Sequence, residues 1–360
     1  MKYLSNLNKK ELNGKTSLLR VDLNIKSLKD HFRIDSVLPT IKYLLKNSSK
    51  VVILSHRGRP NSIDPKLSLR PIAKIISQKL KSKIKFIDSF ADFNFSTRGG
   101  SAFGWKKIKK EIDSEKKVKV FVLENLRFLS GEEKNSNNLA KKLASLGDLY
   151  INDAFAVSHR KNASVFAITK HIKSYAGLLM EKEIAGLTKA TKNPKQPLIV
   201  VLGGTKIDTK INIVKNLNSR TKFFLLGSSI FNEIKNPIVK NIIKNKKCLI
   251  PIDFFKRNGK FFDIGPETIV LYKKIISEAN TIIWNGPVGM FEDKKYSKGT
   301  AKIASAIIRS KAFKVIGGGE TANFILNNKM NKNIDLLSTG GGAMLDFLAG
   351  KKLPGIEALK

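Results

Sequence analysis

The stretch FKVIGGGETANF, residues 313–324, decides how this chain folds. An apolar run ends in three consecutive glycines and passes directly into a helical pattern. Side chains are missing just where a strand hands over to a helix, so the turn is tight and its amides are open to approach. The same alternation runs along the whole sequence. Apolar, β-branched runs at KTSLLRVDL, KVVILSH, KIKFID, VKVFVLENL and DLYINDAF are interleaved with helical patterns such as SVLPTIKYLLKN, RPIAKIISQKL and NNLAKKLASLG. After AGLLMEKEIAGLTKAT, which breaks at NPKQP, the alternation resumes with PLIVVLGG, TKFFLLG, KCLIPIDF, NTIIWNGP, FKVIGGG and IDLLSTGGG. This order predicts an α/β fold with mostly parallel sheets covered by helices on both faces. Two such domains account for a chain of 360 residues. The helical stretch 176–191 joins them, and Pro194 and Pro197 mark its end.

Composition narrows the class. Hydrophobic residues make up 42% of the chain, ample for buried cores. No apolar run approaches the roughly 20 residues that span a bilayer. The N-terminal stretch MKYLSNLNKKELNG lacks the apolar centre of a secretion signal, and the single cysteine, Cys248, has no partner for an internal disulfide. A cytoplasmic protein that works without a membrane is expected. The formal charge of +38 raises the question of nucleic acid, but the basic residues divide into 11 arginines and 56 scattered lysines. A nucleic-acid arm would concentrate charge in a block or an aromatic-studded stripe. The pattern fits a solvated surface, and no nucleic-acid partner is expected.

The arginines are more informative. Arg20, Arg33, Arg57, Arg59, Arg127 and Arg160 all lie in the first half, most of them where strands are predicted to end. A guanidinium grips phosphate or carboxylate through a planar fork, which an ammonium cannot do. First-half strand ends also carry Asp22, Asn24, His56, Glu124, Asp153 and His159. Second-half strand ends carry glycine instead, at 203–204, 227, 286, 317–319 and 340–342. In open α/β sheets ligands bind beyond the carboxyl ends of the strands. Side-chain forks suit a small anion of defined shape, whereas bare amides at helix starts suit phosphates. Each half is therefore expected to hold a different anionic ligand.

Competing motif readings fail on residues. GGGETA matches the dinucleotide pattern G-x-G-x-x-A, but the next strand, IDLLST, ends without the acidic residue that a nicotinamide site requires. No G-x-x-x-x-G-K-[ST] occurs, so a P-loop is absent. Four histidines and one cysteine give no zinc-binding pattern.

Taken together, RVDLN (20–24), SHRGRP (55–60), LENLRF (123–128), NDAFAVSHR (152–160), LGGTKIDTKI (202–211), WNGPVGMFE (284–292), IGGGETA (316–322) and STGGGAMLDFLAGKKLPG (338–355) resemble the phosphoglycerate kinase family, in order and over nearly the whole chain. The resemblance implies two Rossmann-like domains facing a central cleft. Residues 1–172 would bind 3-phosphoglycerate or 1,3-bisphosphoglycerate, with 347–360 packing back on them. Residues 173–346 would bind ADP or ATP as its Mg²⁺ complex. It implies a substrate set of Asp22, Asn24, Arg33, His56, Arg59, Arg127 and Arg160. On the nucleotide side it implies Gly203, Lys206, Lys210, Gly227, Asn285, Gly286, Pro287, Glu292 and Gly317 to Thr321, with Glu320 at the metal. Arg33, Lys210, Gly318 and Gly341 would act on the transferring phosphoryl group, with Gly342 beside them. A monomer, and closure by bending near 170–195, are also implied.

The chemistry agrees with such a set. The acceptor is a phosphate oxygen in one direction and a carboxylate in the other, and a carboxyl group with a pKa of about 4 is ionised at neutral pH. No general base is required, and no triad or covalent nucleophile stands among the motifs. Direct in-line transfer without a phosphoenzyme is expected. Three stretches depart from the family pattern. Lys26 stands where proline usually follows RVDLN, Glu320 where an aspartate is usual, and LLGSSIFNEI (225–234) where a glycine-rich, Met-Ala stretch lines the adenine pocket.

Overall fold

A computed structural model describes residues 1–88, 102–204 and 207–360. The chain divides into two units, Met1–Glu181 with Leu353–Lys360, and Lys182–Lys352. The boundary falls inside the helix Leu178–Thr191.

The N-terminal unit is built on strands β1 (Thr16–Arg20), β2 (Lys50–Leu54), β3 (Ile84–Ile87), β4 (Val120–Leu123), β5 (Leu149–Asn152) and β6 (Ser174–Ala176). They form one sheet in the order β3-β4-β2-β1-β5-β6, and every pairing is parallel. Alternate residues of a strand point to opposite faces, and both faces here are apolar. Leu19, Val51, Ile53, Val122 and Ile151 pack on one side with the helices Phe32–Asn47 and Arg70–Leu80. Their sequence neighbours Leu18, Val52, Leu54, Phe121 and Tyr150 pack on the other side with the helix Asn137–Ala144. The C-terminal residues join this unit. Gly355 donates its amide to the Ser158 carbonyl (2.8 Å), and its missing side chain leaves room for Val165 and the Ser158 backbone.

The second unit repeats the plan with β7 (Leu198–Leu202), β8 (Thr221–Leu226), β9 (Cys248–Leu249), β10 (Phe254–Arg257), β11 (Lys260–Ile264), β12 (Thr281–Asn285), β13 (Phe313–Gly317) and β14 (Leu336–Leu337). The order β14-β13-β12-β7-β8-β9 gives a second parallel sheet, and β10 and β11 form a separate antiparallel hairpin. Trp284, Ile282, Ile199, Val201 and Ile316 fill one face against the helices Pro266–Ser277 and Lys298–Arg309. Among the described residues no helix is long and apolar enough to cross a membrane.

Both sheets reverse direction next to their first strand, between β1 and β5 and between β7 and β12. Such a switch point parts the flanking loops and opens a crevice at the carboxyl ends of the strands. Asp153, which follows β5, is turned inward there. It is fully buried, and its Oδ1 accepts the Met180 amide (2.9 Å) in the first turn of the helix Leu178–Thr191. Burial pushes its carboxyl group up to about 6 from an ordinary 3.8.

The native state thus keeps a proton that the unfolded chain releases between about pH 4 and pH 6. The contribution of Asp153 to stability falls as pH rises through that window and is level above it. A shift of about two units corresponds to about 3 kcal/mol at most. The unfolding free energy of Asp153→Asn minus that of the wild type, measured in urea, is expected to rise by up to that amount from pH 4 to pH 6.5. A difference independent of pH would show that the group does not titrate in this range.

Candidate functional site

In the N-terminal unit the loops after β1, β2 and β4 are knitted together by backbone and side-chain hydrogen bonds. Register pairing sets Arg20 beside Leu54 on one side and Asn152 on the other, so these strands end level with one another. Ser55 Oγ donates to the Val21 carbonyl (2.8 Å) and accepts the Leu23 amide (3.0 Å). Asn24 accepts the Gly58 amide (2.9 Å), and Asp22 accepts the Asn24 amide (2.9 Å). Asn125 ties the next loop in by accepting the amides of Arg57 (3.2 Å) and Arg127 (3.1 Å), while its own amide group donates to the Arg57 (2.7 Å) and Leu67 (3.0 Å) carbonyls. Arg127 Nη1 donates to the Gly58 carbonyl, and its Nε lies 3.2 Å from Glu133. Arg33, in the first turn of the helix Phe32–Asn47, pairs with Asp22. Arg59 is exposed next to Gly58, and Arg160 Nε meets His159 Nε2 at 3.2 Å.

His56 lies at the centre of this cluster. It is 1% exposed, and burial together with the charges of Arg20, Arg127, Arg33 and Arg160 holds its pKa well below the ordinary 6.5. The ring is neutral at physiological pH. Asp22, Asn24, Arg33, His56 and Arg127 are thereby brought onto linked loops, with Arg59 and Arg160 at their margin. Glu124 is not part of the cluster, although it directly follows β4. Its carboxylate is consumed by Ser68 Oγ (2.7 Å) and the amides of Leu69 (2.9 Å) and Asn125 (2.7 Å).

In the second unit the backbone itself makes the walls. Leu202 pairs with Asn285, and Asn285 with Gly317, so the loops after β7, β12 and β13 leave the sheet side by side. Gly203 donates to the Asn285 carbonyl (3.0 Å) and Gly204 to that of Pro287 (3.0 Å). A Cβ on Gly203 would collide with the Pro287 carbonyl, and one on Gly286 with the Gly203 carbonyl. Gly227 lies against the same crossing, where a Cβ would come 2.8 Å from Val288 Cα. Gly318 has φ +98°, a backbone that favours glycine, and the helix Gly319–Asn327 starts directly after it. Thr321 Oγ1 accepts the Gly286 amide (3.0 Å).

Glu320 stands exposed in the first turn of that helix, and its carboxylate overlooks Gly204. Phe291 packs edge-on against Phe324 (5.4 Å between ring centres), which fixes the loop carrying Glu292 beside the same helix. Met344 presses on Gly317, and Thr339, just ahead of Gly341, is fastened to the buried carboxylate of Glu183 through its amide (2.6 Å) and hydroxyl (2.8 Å). Lys210 is buried and donates to the Gly204 carbonyl (2.8 Å). Lys206 lies outside the described residues.

Asn285 Nδ2 is buried without a hydrogen-bond partner among the described residues, and it faces Gly318. An unmet donor at this point suits a phosphate oxygen. Among the described residues no group of three or more acidic, histidine or cysteine side chains could hold a metal unaided. Mg²⁺ does not need such a group, because it keeps waters and is commonly held by one or two carboxylates together with substrate phosphates. Glu320 beside a phosphate-receptive loop fits that requirement.

Three supporting residues give little signal in the sequence. Glu183 is the last of three consecutive charged residues in the helix Leu178–Thr191, and nothing in the sequence separates it from the two before it. Asp263, at the end of the hairpin, is fully buried and accepts the amides of Gly299 (2.7 Å) and Ile264 (2.9 Å); burial pushes its carboxyl group up to about 6. Asn125 looks like any polar residue in a turn.

A family model described as phosphoglycerate kinase matches residues 7–236 and 233–351 of the chain. A phosphoglycerate kinase of Dictyoglomus turgidum is 37% identical, the match covering 100% of this chain and 99% of that protein. One from Finegoldia magna is 35% identical over 97% of this chain and 98% of its own. Among solved structures, phosphoglycerate kinase from Pyrococcus horikoshii OT3 superposes with a TM-score of 0.85 at 31% identity, covering 100% of this chain and 98% of that one. The enzyme from Coxiella burnetii gives 0.81 at 31% identity, covering 99% and 98%.

The crossing of the loops after β7 and β12 leaves no volume for a methyl group. Gly203→Ala is expected to cost about 1–3 kcal/mol of unfolding free energy through displaced backbone, measured in urea. An unchanged value would show that the crossing can relax to admit a methyl group.

Proposed function

The chain belongs to the phosphoglycerate kinase family, and from that premise we propose how its residues carry the reversible transfer of a phosphoryl group between 1,3-bisphosphoglycerate and ADP. The reaction belongs to glycolysis, and the enzyme is a phosphotransferase with a carboxyl acceptor. The observation that carries our reading is the contrast between the two strand-end clusters. One presents guanidinium groups around a neutral imidazole, and the other presents glycine backbone around an unmet amide donor.

In this reading Asn24, Asp22 and the neutral ring of His56 orient the glycerate hydroxyl and carboxylate end. Arg59, Arg127 and Arg160 hold the charge of its distal phosphate. Asp22 aims Arg33, whose fork neutralises charge on the group in transit. On the nucleotide side Gly203, Gly227, Asn285 and Pro287 line the pocket and Glu292 holds the ribose. Lys206, Lys210 and the 317–321 loop take the phosphates, and the amides of Gly318 and Gly341 approach the transferring oxygens. Glu320 would hold Mg²⁺, which supplies positive charge to the nucleotide phosphates when bound.

The attacking atom is a phosphate oxygen in one direction and a carboxylate in the other. Both are ionised at neutral pH, so none of these side chains needs to act as a base. Their work is alignment and charge neutralisation of a loosely bonded phosphoryl group in line between its two partners. Acyl phosphates hydrolyse readily, so transfer has to exclude water, and bending near 170–195 would supply the closing motion. A cytoplasmic, monomeric enzyme acting on small molecules completes the reading.

The decisive measurement is ADP-dependent ATP formation from 1,3-bisphosphoglycerate in a coupled assay. Glu320→Ala is expected to lower Mg²⁺-dependent turnover by about 100-fold or more, the size of one lost electrostatic element; full retention would displace the metal from this residue. Arg33→Ala is expected to reduce kcat more than it raises KM for 3-phosphoglycerate, because its charge matters most when the phosphoryl group is between partners. A change confined to KM would reduce Arg33 to a binding residue.

A further inference from the structure

Arg20 differs from the other arginines whose charges act on His56. It is the last residue of β1 and only 1% exposed, and each of its three guanidinium nitrogens has a partner within the protein. Nε donates to Ser164 Oγ (2.8 Å), Nη1 donates to the Val21 carbonyl, and Nη2 meets His56 Nδ1 at 3.2 Å. The charge is balanced from behind by Glu132, itself 1% exposed and 3.9 Å away. Ser164 locks that carboxylate with its hydroxyl (2.6 Å) and its amide (3.0 Å), and Tyr150 donates to the Ser164 carbonyl (2.6 Å). A guanidinium so enclosed cannot reach a substrate. It can act only through the ring it touches.

Arginine has donors and no acceptor, and it is charged at any pH the protein experiences. Across the Nη2···Nδ1 contact the nitrogen of the ring must therefore be the acceptor. Nδ1 carries a lone pair, and the ring proton sits on Nε2. A doubly protonated ring would set N–H against N–H at this contact. We propose that Arg20 is a positioning residue that fixes His56 as the neutral, Nε2-protonated tautomer, with Ser164 and Glu132 holding the guanidinium in place to do so. The inference rests on the reading above only in taking the glycerate substrate as the acceptor of the Nε2 proton.

The arrangement answers a definite electrostatic need. Four guanidinium charges act on this ring: Arg20 of β1, which touches it, and Arg33 in the helix Phe32–Asn47, Arg127 in the turn after β4 and Arg160 in the loop after β5. A further positive charge among them would add repulsion to the free enzyme. A neutral donor adds direction toward a hydroxyl or carboxylate oxygen at no cost in charge. Burial of the ring works in the same sense, since it disfavours the ionised form.

The test begins with the wild-type chain. Long-range ¹H–¹⁵N NMR of the histidine rings, with the His56 signal identified by its loss in His56→Gln, is expected to show the Nε2-protonated tautomer from pH 8 to pH 5.5. An Nδ1-protonated ring, or a titration midpoint near 6.5, would overturn the proposal without any variant of Arg20. Arg20→Lys keeps a donor and should preserve both the tautomer and the pH profile of KM for 3-phosphoglycerate. Arg20→Met removes it. In that variant nothing holds the lone pair on Nδ1, so the Nδ1-protonated form should appear. The ring should also protonate more readily than in the wild type, and the variant-to-wild-type ratio of KM should change on the order of tenfold between pH 8 and pH 5.5, with kcat changing far less. Taking the ratio cancels the titration of the ligand's own phosphate. A ratio independent of pH, with the tautomer retained in Arg20→Met, would reduce Arg20 to a packing element. Addition of 3-phosphoglycerate to the wild type separates the two readings: an Nε2 signal that stays put supports the tautomer assignment but removes His56 from the substrate site.

Discussion

Four guanidinium groups act on one imidazole ring in the N-terminal unit, and holding those like charges close together is the constraint on which this cluster depends. Each of three arginines has its own carboxylate: Asp22 for Arg33, Glu132 for Arg20 and Glu133 for Arg127. The carboxylates differ in depth, and depth decides what each pair can do. The Arg20–Glu132 pair is sealed from solvent and can only orient its neighbours. Arg33 stays partly accessible beside a nearly buried Asp22 and so combines a fixed direction with access to a ligand. Removing one member of a buried pair would strand the other charge, which costs far more than the pair contributes to stability.

The second unit solves a related problem by other means. It gathers very few cationic side chains at its strand ends and relies on backbone amides that glycine leaves uncovered. That solution requires chains to pass closer than side chains permit, and the crossing of the loops after β7 and β12 meets the requirement. Buried carboxylates then anchor the loops that build the pocket. Glu183 holds Thr339 at the entry to the last glycine run, and Asp263 holds the amide of Gly299 at the start of the helix Lys298–Arg309. Neither acid is placed to meet a ligand, yet the geometry of the surrounding loops follows from both.

The large positive charge has a modest place in this picture. Most of it comes from lysines dispersed along the chain, and screening at cellular salt confines the field of an exposed charge to about 8 Å. Attraction of anionic substrates from a distance is correspondingly weak. The arginines at strand ends differ, because partial burial there reduces screening and planar forks set direction.

Much of this was written in the order of residues alone. Alternating apolar runs and helical patterns determined the parallel α/β fold, because a strand covered on both faces must be apolar throughout. Glycine at the ends of β7, β12 and β13, and arginine near those of β1, β2 and β4, could be read there as well. What the tertiary structure decided is which polar strand-end residues face outward. Glu124 and Asp153 stand in the same kinds of position as Asp22 and His56, yet they are spent on the amides of Leu69 and Met180. Arg20 belongs to the same motif as Asp22 and Asn24 but is enclosed by Ser164 and Glu132, which lie more than a hundred residues away in the chain. A side chain's role depends on whether long-range neighbours have already satisfied it, and that is settled only when distant segments pack together.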